Sequence, residues 1–184
     1  VIGPKDDPTN ADCDRLLLLR DASRYEFRLD AYARNAGIPT PSMNPRLYYE
    51  DWSVKQLAYR ELRNKDFIAV CTGGTWETKR WPAERWQALC DALSADGERI
   101  VQLGHNDARL SVSDCMVDET SIYEAACMLR SAKLLITTDS GLLHLALAVG
   151  TPVLGLFGPT KPSILVREGE FLTALTNGRE CQGC

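Results

Sequence analysis

From Phe67 onward, short β-rich runs alternate with amphipathic helical segments, and that rhythm restricts the chain to βαβ units wound around a parallel sheet. Strands are expected at residues 67–71, 99–103, 134–137 and 152–157, with a further short one at 115–117. Helices are expected over 82–95, about 107–112, 121–130 and 140–149. Pro82 suits a first helical turn, where its missing N–H has no partner to lose, and Gly97 suits the stop. The fold class that follows is α/β, a Rossmann-like parallel sheet flanked by helices.

Upstream of that core the signals are weaker. Residues 1–24 carry Gly3, Pro4 and Pro8 and no sustained period beyond the run Leu16 to Leu19, so they read as a connector or remnant. From Tyr25 the spacing of Phe27, Leu29, Tyr32, Ala33 and Ile38, followed by Gly37 and Pro39, predicts a helix and its stop. A second helix is expected over roughly 54–63. The chain opens at Val1 rather than Met, and both ends are expected to be cut from something longer.

Composition narrows the function classes. The net charge of −4 provides no broad basic field, so nucleic acid is excluded as the expected partner and any anion must be handled locally. The longest apolar stretch, residues 142–157, is interrupted by His144, Gly150 and Pro152, so it cannot form a membrane-spanning helix. Of the seven cysteines, Cys71, Cys90 and Cys127 fall in apolar segments and behave as small buried hydrophobes. That pattern favours a reducing, cytoplasmic setting.

In an open parallel sheet, ligands bind beyond the carboxyl ends of the strands, which makes the loops after each strand the informative ones. The first reads Thr72-Gly73-Gly74-Thr75-Trp76-Glu77-Thr78-Lys79-Arg80. Adjacent glycines permit close backbone approach, while the hydroxyls and two cations suit a phosphate. The loop lacks both the GxxxxGK[ST] and GxGxxG spacings, and a plain glycine turn with solvated cations is an equal alternative. The second, Thr137-Thr138-Asp139-Ser140-Gly141, runs into a helix whose first N–H groups and dipole favour an anion, with His144 one turn on. Its plainer reading is an N-cap by Asp139 or Ser140 and a structural histidine. Gly104-His105-Asn106-Asp107 offers hydrogen-bonding groups for a ribose or base edge, or a helix cap. The loop 157–162 either lines the same cleft or is a surface turn. Trp76, Trp81 and Trp86 form a local cluster for which packing is the expected role.

Taken in order, GGTWETKRWPAERWQAL, LGHND and TSIYEAACMLRSAKLLITTDSGLLHLALAVGTPVLGLFGPTKP resemble the C-terminal domain of the ADP-heptose:lipopolysaccharide heptosyltransferases, glycosyltransferase family 9, over roughly residues 67–162. The resemblance implies the GT-B fold, two Rossmann-like domains facing each other across a cleft. Residues 67–176 would then be the nucleotide-sugar-binding domain, 25–66 interdomain helices, and 177–184 a truncated tail. It implies that Gly74, Thr75 and Lys79 contact the diphosphate of an ADP-sugar donor, and that Asp139, Ser140, Gly141 and His144 close on phosphate and sugar. By the same resemblance Thr120 lies near the adenine and Asp107 is a candidate for the ribose.

The implied reaction is inverting transfer without a required cofactor to a lipopolysaccharide core or protein acceptor. Lys79 would stabilise the leaving group, and the general base would come from a missing N-terminal acceptor domain. Peripheral contact with the inner membrane is the implied location. Cys181 and Cys184 resemble half of a cysteine-rich tail that binds iron in some relatives, so iron or zinc in a longer chain is one reading, against a disulfide or free thiols. A non-catalytic nucleotide-sugar-binding subunit or sensor, and a sugar epimerase of the same fold, are the alternatives.

Overall fold

The computed structural model describes residues 28–39, 47, 66–74, 76–166, 169 and 171–178. Six strands form one sheet: β1 (Phe67–Cys71), β2 (Arg99–Gly104), β3 (Asp114–Val117), β4 (Leu134–Thr138), β5 (Val153–Phe157) and β6 (Leu172–Thr176). Their spatial order is β3-β2-β1-β4-β5-β6, and every neighbouring pair is parallel. The helices are α1 (Arg28–Ala36), α2 (Ala83–Ala95), α3 (Ile122–Ser131), α4 (Gly141–Val149) and the short α5 (Pro162–Leu165).

Strand periodicity explains how this sheet acquires two cores. In β1, Phe67, Ala69 and Cys71 point to one face and Ile68 and Val70 to the other, and all five residues are buried. The first face packs against α3 and α4 through Met128, Leu129, Leu143 and Ala146. The second packs against α2 through Trp86 and Cys90. Helices on both faces let the chain wind outward from β1 to β2 and β3, then cross back to β4 and wind the other way. The strands β1 and β4 are thus neighbours whose following chains diverge, the geometry that opens a crevice at their carboxyl ends.

Cys71, Cys90 and Cys127 are buried and in no disulfide, as their apolar surroundings predict. The helix expected after Tyr25 is present as α1, closing at Gly37. That expected over 54–63 lies outside the described residues.

The helix expected over about 107–112 is not there. Its backbone is held instead by two glutamines: Gln102 Nε2 donates to Ala108 O at 2.7 Å, and Leu110 N donates to Gln102 Oε1 at 2.8 Å. Gln87 does the same for Ser111, donating to its carbonyl at 2.9 Å and accepting from its N–H at 2.8 Å. With these groups satisfied by side chains, the segment stays irregular and buries Leu110 under α2. Strand β6 and helix α5 were not anticipated. The stretch LTALT of β6 buries Leu172 while exposing Thr173, Leu175 and Thr176, so it carries little of the apolar pattern of a central strand.

Candidate functional site

A cavity of about 720 Å³ opens at the carboxyl ends of β1, β2 and β4. Its walls come from three of the loops singled out above. Gly73 and Gly74 follow β1, Gly104 closes β2 and His105 to Asp107 follow it, and Ser140 and Gly141 follow β4. Thr120 and Ser121 precede α3 on a fourth side, and Ile122, Ala125, Leu142 and Leu145 supply an apolar wall from α3 and α4. The diglycine bend and the start of α4 are tied together, because Thr138 Oγ1 donates a hydrogen bond to Gly73 O.

The helix start is left open to a ligand. Ser140 occupies the N-cap position with extended backbone, yet its side chain makes no capping bond. Its Oγ lies 3.0 Å from Thr137 Oγ1 and 3.9 Å from Cys71 Sγ instead. Asp139 does not cap either, since Lys79 Nζ donates to its Oδ2 at 2.6 Å. The N-cap expected from these two residues is therefore corrected. Helix-start N–H groups without a side-chain cap, backed by the helix dipole, form a site for an anion.

Lys79 ends a single 3-10 turn (Glu77–Lys79) and reaches across the gap from the β1 loop to the β4 loop. The Lys79 and Asp139 side chains are 17% and 8% exposed, so the pair sits in a partly desolvated corner. His144 is solvent-accessible, yet the protein around it displaces enough water to hold its imidazole below the usual histidine range. Lys79 pushes in the same direction and Asp139 opposes it. The three residues form a cluster beside the Gly74 and Ser140 wall rather than lining the cavity itself. A Cβ built on Gly74 would approach Lys79 Cβ to 3.2 Å, which shows how closely the turn and the lysine stem meet.

Asp107 is the acidic side chain on the cavity wall. Its carboxylate is wedged between two turns: a Cβ on Gly73 would lie 2.5 Å from both carboxylate oxygens, and one on Gly104 would collide with Oδ2. A side chain at either position would push the Asp107 carboxylate out of this wedge. Burial raises the Asp107 pKa above the ordinary carboxylate value, and Asp118 adds to the rise, while Arg80, His105 and the Gly73 N–H oppose it. The same turn is braced from β3, since Asp118 Oδ1 accepts from Asn106 N at 2.7 Å and lies 2.7 Å from His105 Nδ1. Asp107 and Asn106 thus cap no helix, because none follows them.

Of the residues singled out in the sequence, Gly74, Asp107, Thr120, Ser140 and Gly141 line the cavity. Lys79, Asp139 and His144 stand beside it, and Thr75, Cys181 and Cys184 lie outside the described residues. Among the described residues no group of three His, Cys, Asp or Glu side chains could hold a metal ion. The loop 157–162 contributes nothing to the lining, although Gly158 passes close to the Thr78 carbonyl. Sequence reasoning missed Cys71 and the apolar wall. The signal was there in the i, i+3 pairs Ile122/Ala125 and Leu142/Leu145 at the starts of two helices that pack together.

The family model for glycosyltransferase family 9 (heptosyltransferase) matches residues 24–184. The chain belongs to that family. Curated family 9 relatives include lipopolysaccharide heptosyltransferase 1 of Pseudomonas aeruginosa, 28% identical over 131 residues, which are 64% of this chain and 36% of that protein. Lipopolysaccharide heptosyltransferase 2 of Escherichia coli K12 is 25% identical over 144 residues, 68% of this chain and 41% of that protein. The chain therefore spans well under half the length of the curated relatives it matches. Among solved structures, a family 9 glycosyl transferase from Veillonella parvula superposes with a TM-score of 0.67 at 22% identity, covering 83% of this chain and 49% of that one. TibC, an iron-containing dodecameric glycosyltransferase from enterotoxigenic E. coli, gives 0.71 at 19%, covering 88% and 42%. These similarities bear out the Rossmann-like α/β fold of the family 9 chain.

Proposed function

We propose that the chain is the donor-binding half of a GT-B heptosyltransferase, holding ADP-heptose for inverting transfer to a hydroxyl of a lipopolysaccharide core or protein acceptor. One observation carries the reading. The diglycine bend after β1 and the uncapped start of α4 after β4 meet on adjacent parallel strands and wall one cavity. Two anion-favouring backbone features converging at one point suit a diphosphate better than a single charge. A TibC structure solved with ADP-D-β-D-heptose, TM-score 0.69 at 21% identity, supports the choice of donor.

In this reading the acceptor oxygen bonds to the anomeric carbon as the bond from that carbon to the diphosphate oxygen breaks, and the bonding pair leaves with the nucleotide. Lys79 and the α4 start stabilise the charge that grows on the departing phosphate. Asp107 offers a hydrogen-bond acceptor to ribose hydroxyls, and Thr120 borders the base. The acceptor proton passes to a general base on an N-terminal acceptor domain, which faces this one across the cleft. Transfer needs no metal or cofactor, and the enzyme works in the cytoplasm at the inner face of the membrane.

The test is a thermal-shift series with ADP, UDP, GDP and ADP-heptose. A ligand at a hundred times its Kd adds about 2.7 kcal/mol to native stability. ADP and ADP-heptose should raise the melting temperature well above the effect of UDP or GDP. Indifference to ADP, or an equal response to all four, would sink the assignment.

A further inference from the structure

Two serines start helices at the same cavity, and only one of them caps. Ser121 and Ser140 both line the wall, and both have the extended backbone of an N-cap residue. Ser121 Oγ accepts from Glu124 N at 3.2 Å and gives its own proton to Glu124 Oε2 at 2.6 Å, so the helix itself holds that hydroxyl in the capping position. Helix α4 has no such partner, because Leu143 stands where Glu124 stands in α3. The Ser140 proton goes the other way. Thr137 Oγ1 is buried and carries a single proton, which it donates to Thr138 O at 3.0 Å. The 3.0 Å bond between Thr137 and Ser140 therefore takes its proton from Ser140. Cys71 Sγ, 3.9 Å from Ser140 Oγ, can then donate to it, and burial pushes the Cys71 thiol above its ordinary value, which keeps that proton in place.

We infer that Thr137 is a positioning residue: by holding the Ser140 hydroxyl against the end of β4, it keeps the start of α4 uncapped for the diphosphate. The inference rests on the donor-site reading given above. A serine at an N-cap ordinarily takes the N2 or N3 amide with its own oxygen, here Leu142 or Leu143. A hydroxyl placed there would occupy an N–H group that a phosphate oxygen otherwise receives. Thr137 removes that competitor. It lines none of the cavity and acts only through Ser140. The role needs an acceptor oxygen at this point of β4, which valine, of nearly the same shape, does not have.

The experiment makes Thr137→Val in two backgrounds, wild type and Ser140→Ala. It follows hydrogen exchange at Leu142 and Leu143 without ligand, and calorimetric titration of ADP. With Ser140 present, Thr137→Val frees the hydroxyl to cap. Exchange at one of the two amides should then slow about fivefold, and ADP should bind about three- to tenfold more weakly. A loss of packing would speed exchange rather than slow it. In the Ser140→Ala background the same substitution should change either reading by less than about twofold, and Thr137→Ser, which keeps the oxygen, should bind ADP within about twofold of wild type. Exchange that does not slow, or ADP losses of one size in both backgrounds, overturns the positioning role, since a purely structural threonine acts without regard to Ser140. If exchange slows as expected but wild type does not bind ADP, the donor-site reading has failed and the claim for a diphosphate falls with it, while the exchange result still locates the hydroxyl.

Discussion

Lys79 joins two loops that are 60 residues apart in sequence, and its bond to Asp139 fixes the ammonium beside the wall that the diglycine bend and the α4 start form. In the proposed site a bound diphosphate gains a charge-assisted contact from that ammonium, the kind worth about 1.5–3 kcal/mol. Lys79→Ala should therefore weaken ADP binding about ten- to a hundredfold, read by calorimetry. Unchanged affinity would remove Lys79 from the site. Asp107 makes a prediction of opposite character. Its folded pKa is raised above the unfolded value, so the folded state disfavours the charged form. Stability is then greatest where the group is protonated, and falls as pH rises from the ordinary carboxylate value through the raised one. Asp107→Asn removes that loss. In urea unfolding, the stability of the variant relative to wild type should grow across the same pH interval and level off above it. A difference that does not vary with pH would show that the wedge between Gly73 and Gly104 costs nothing on ionisation.

The elements of the sheet were legible wherever one period ran long enough. Strands β1, β2, β4 and β5 and helices α2, α3 and α4 all carry their own apolar pattern, and Ser121 with Glu124 adds a capping box that marks where α3 begins. Residues 107–112 failed because side chains of neighbouring elements hold them: a segment that looks helical is kept irregular by Gln102, fully buried on β2, and by Gln87 on α2. No local propensity reports such a contact. Gln102→Ala should leave the Leu110 N–H and the Ala108 carbonyl without their partner at a cost of about 1–3 kcal/mol, measured as a lower urea midpoint. It should also accelerate hydrogen exchange at Leu110. A variant as stable as wild type, with Leu110 still protected, would mean that Gln102 does not organise this loop.

On the scale of the whole molecule, the sequence conveyed the parallel class, but the sheet order is a property of the windings. The chain reverses between β3 and β4, and only the folded arrangement places the β4 loop next to the β1 loop. This explains why the TTDSG corner and the TGGT turn each had an unremarkable reading alone, and gain a shared one when Thr138 bonds to Gly73. It also sets where a ligand should be felt. A diphosphate at the switch point would bridge the half of the sheet that winds through β2 and β3 and the half that winds through β5 and β6. Adding ADP should slow hydrogen exchange at Gly73, Gly74, Gly141 and Leu142 together, by a common factor set by occupancy, because these amides close on one ligand. The amides of β6, at the far edge of the sheet, should change only as much as global stability changes. Protection confined to one of the two loops would place the ligand elsewhere and detach the helix start from the glycine bend as parts of one site.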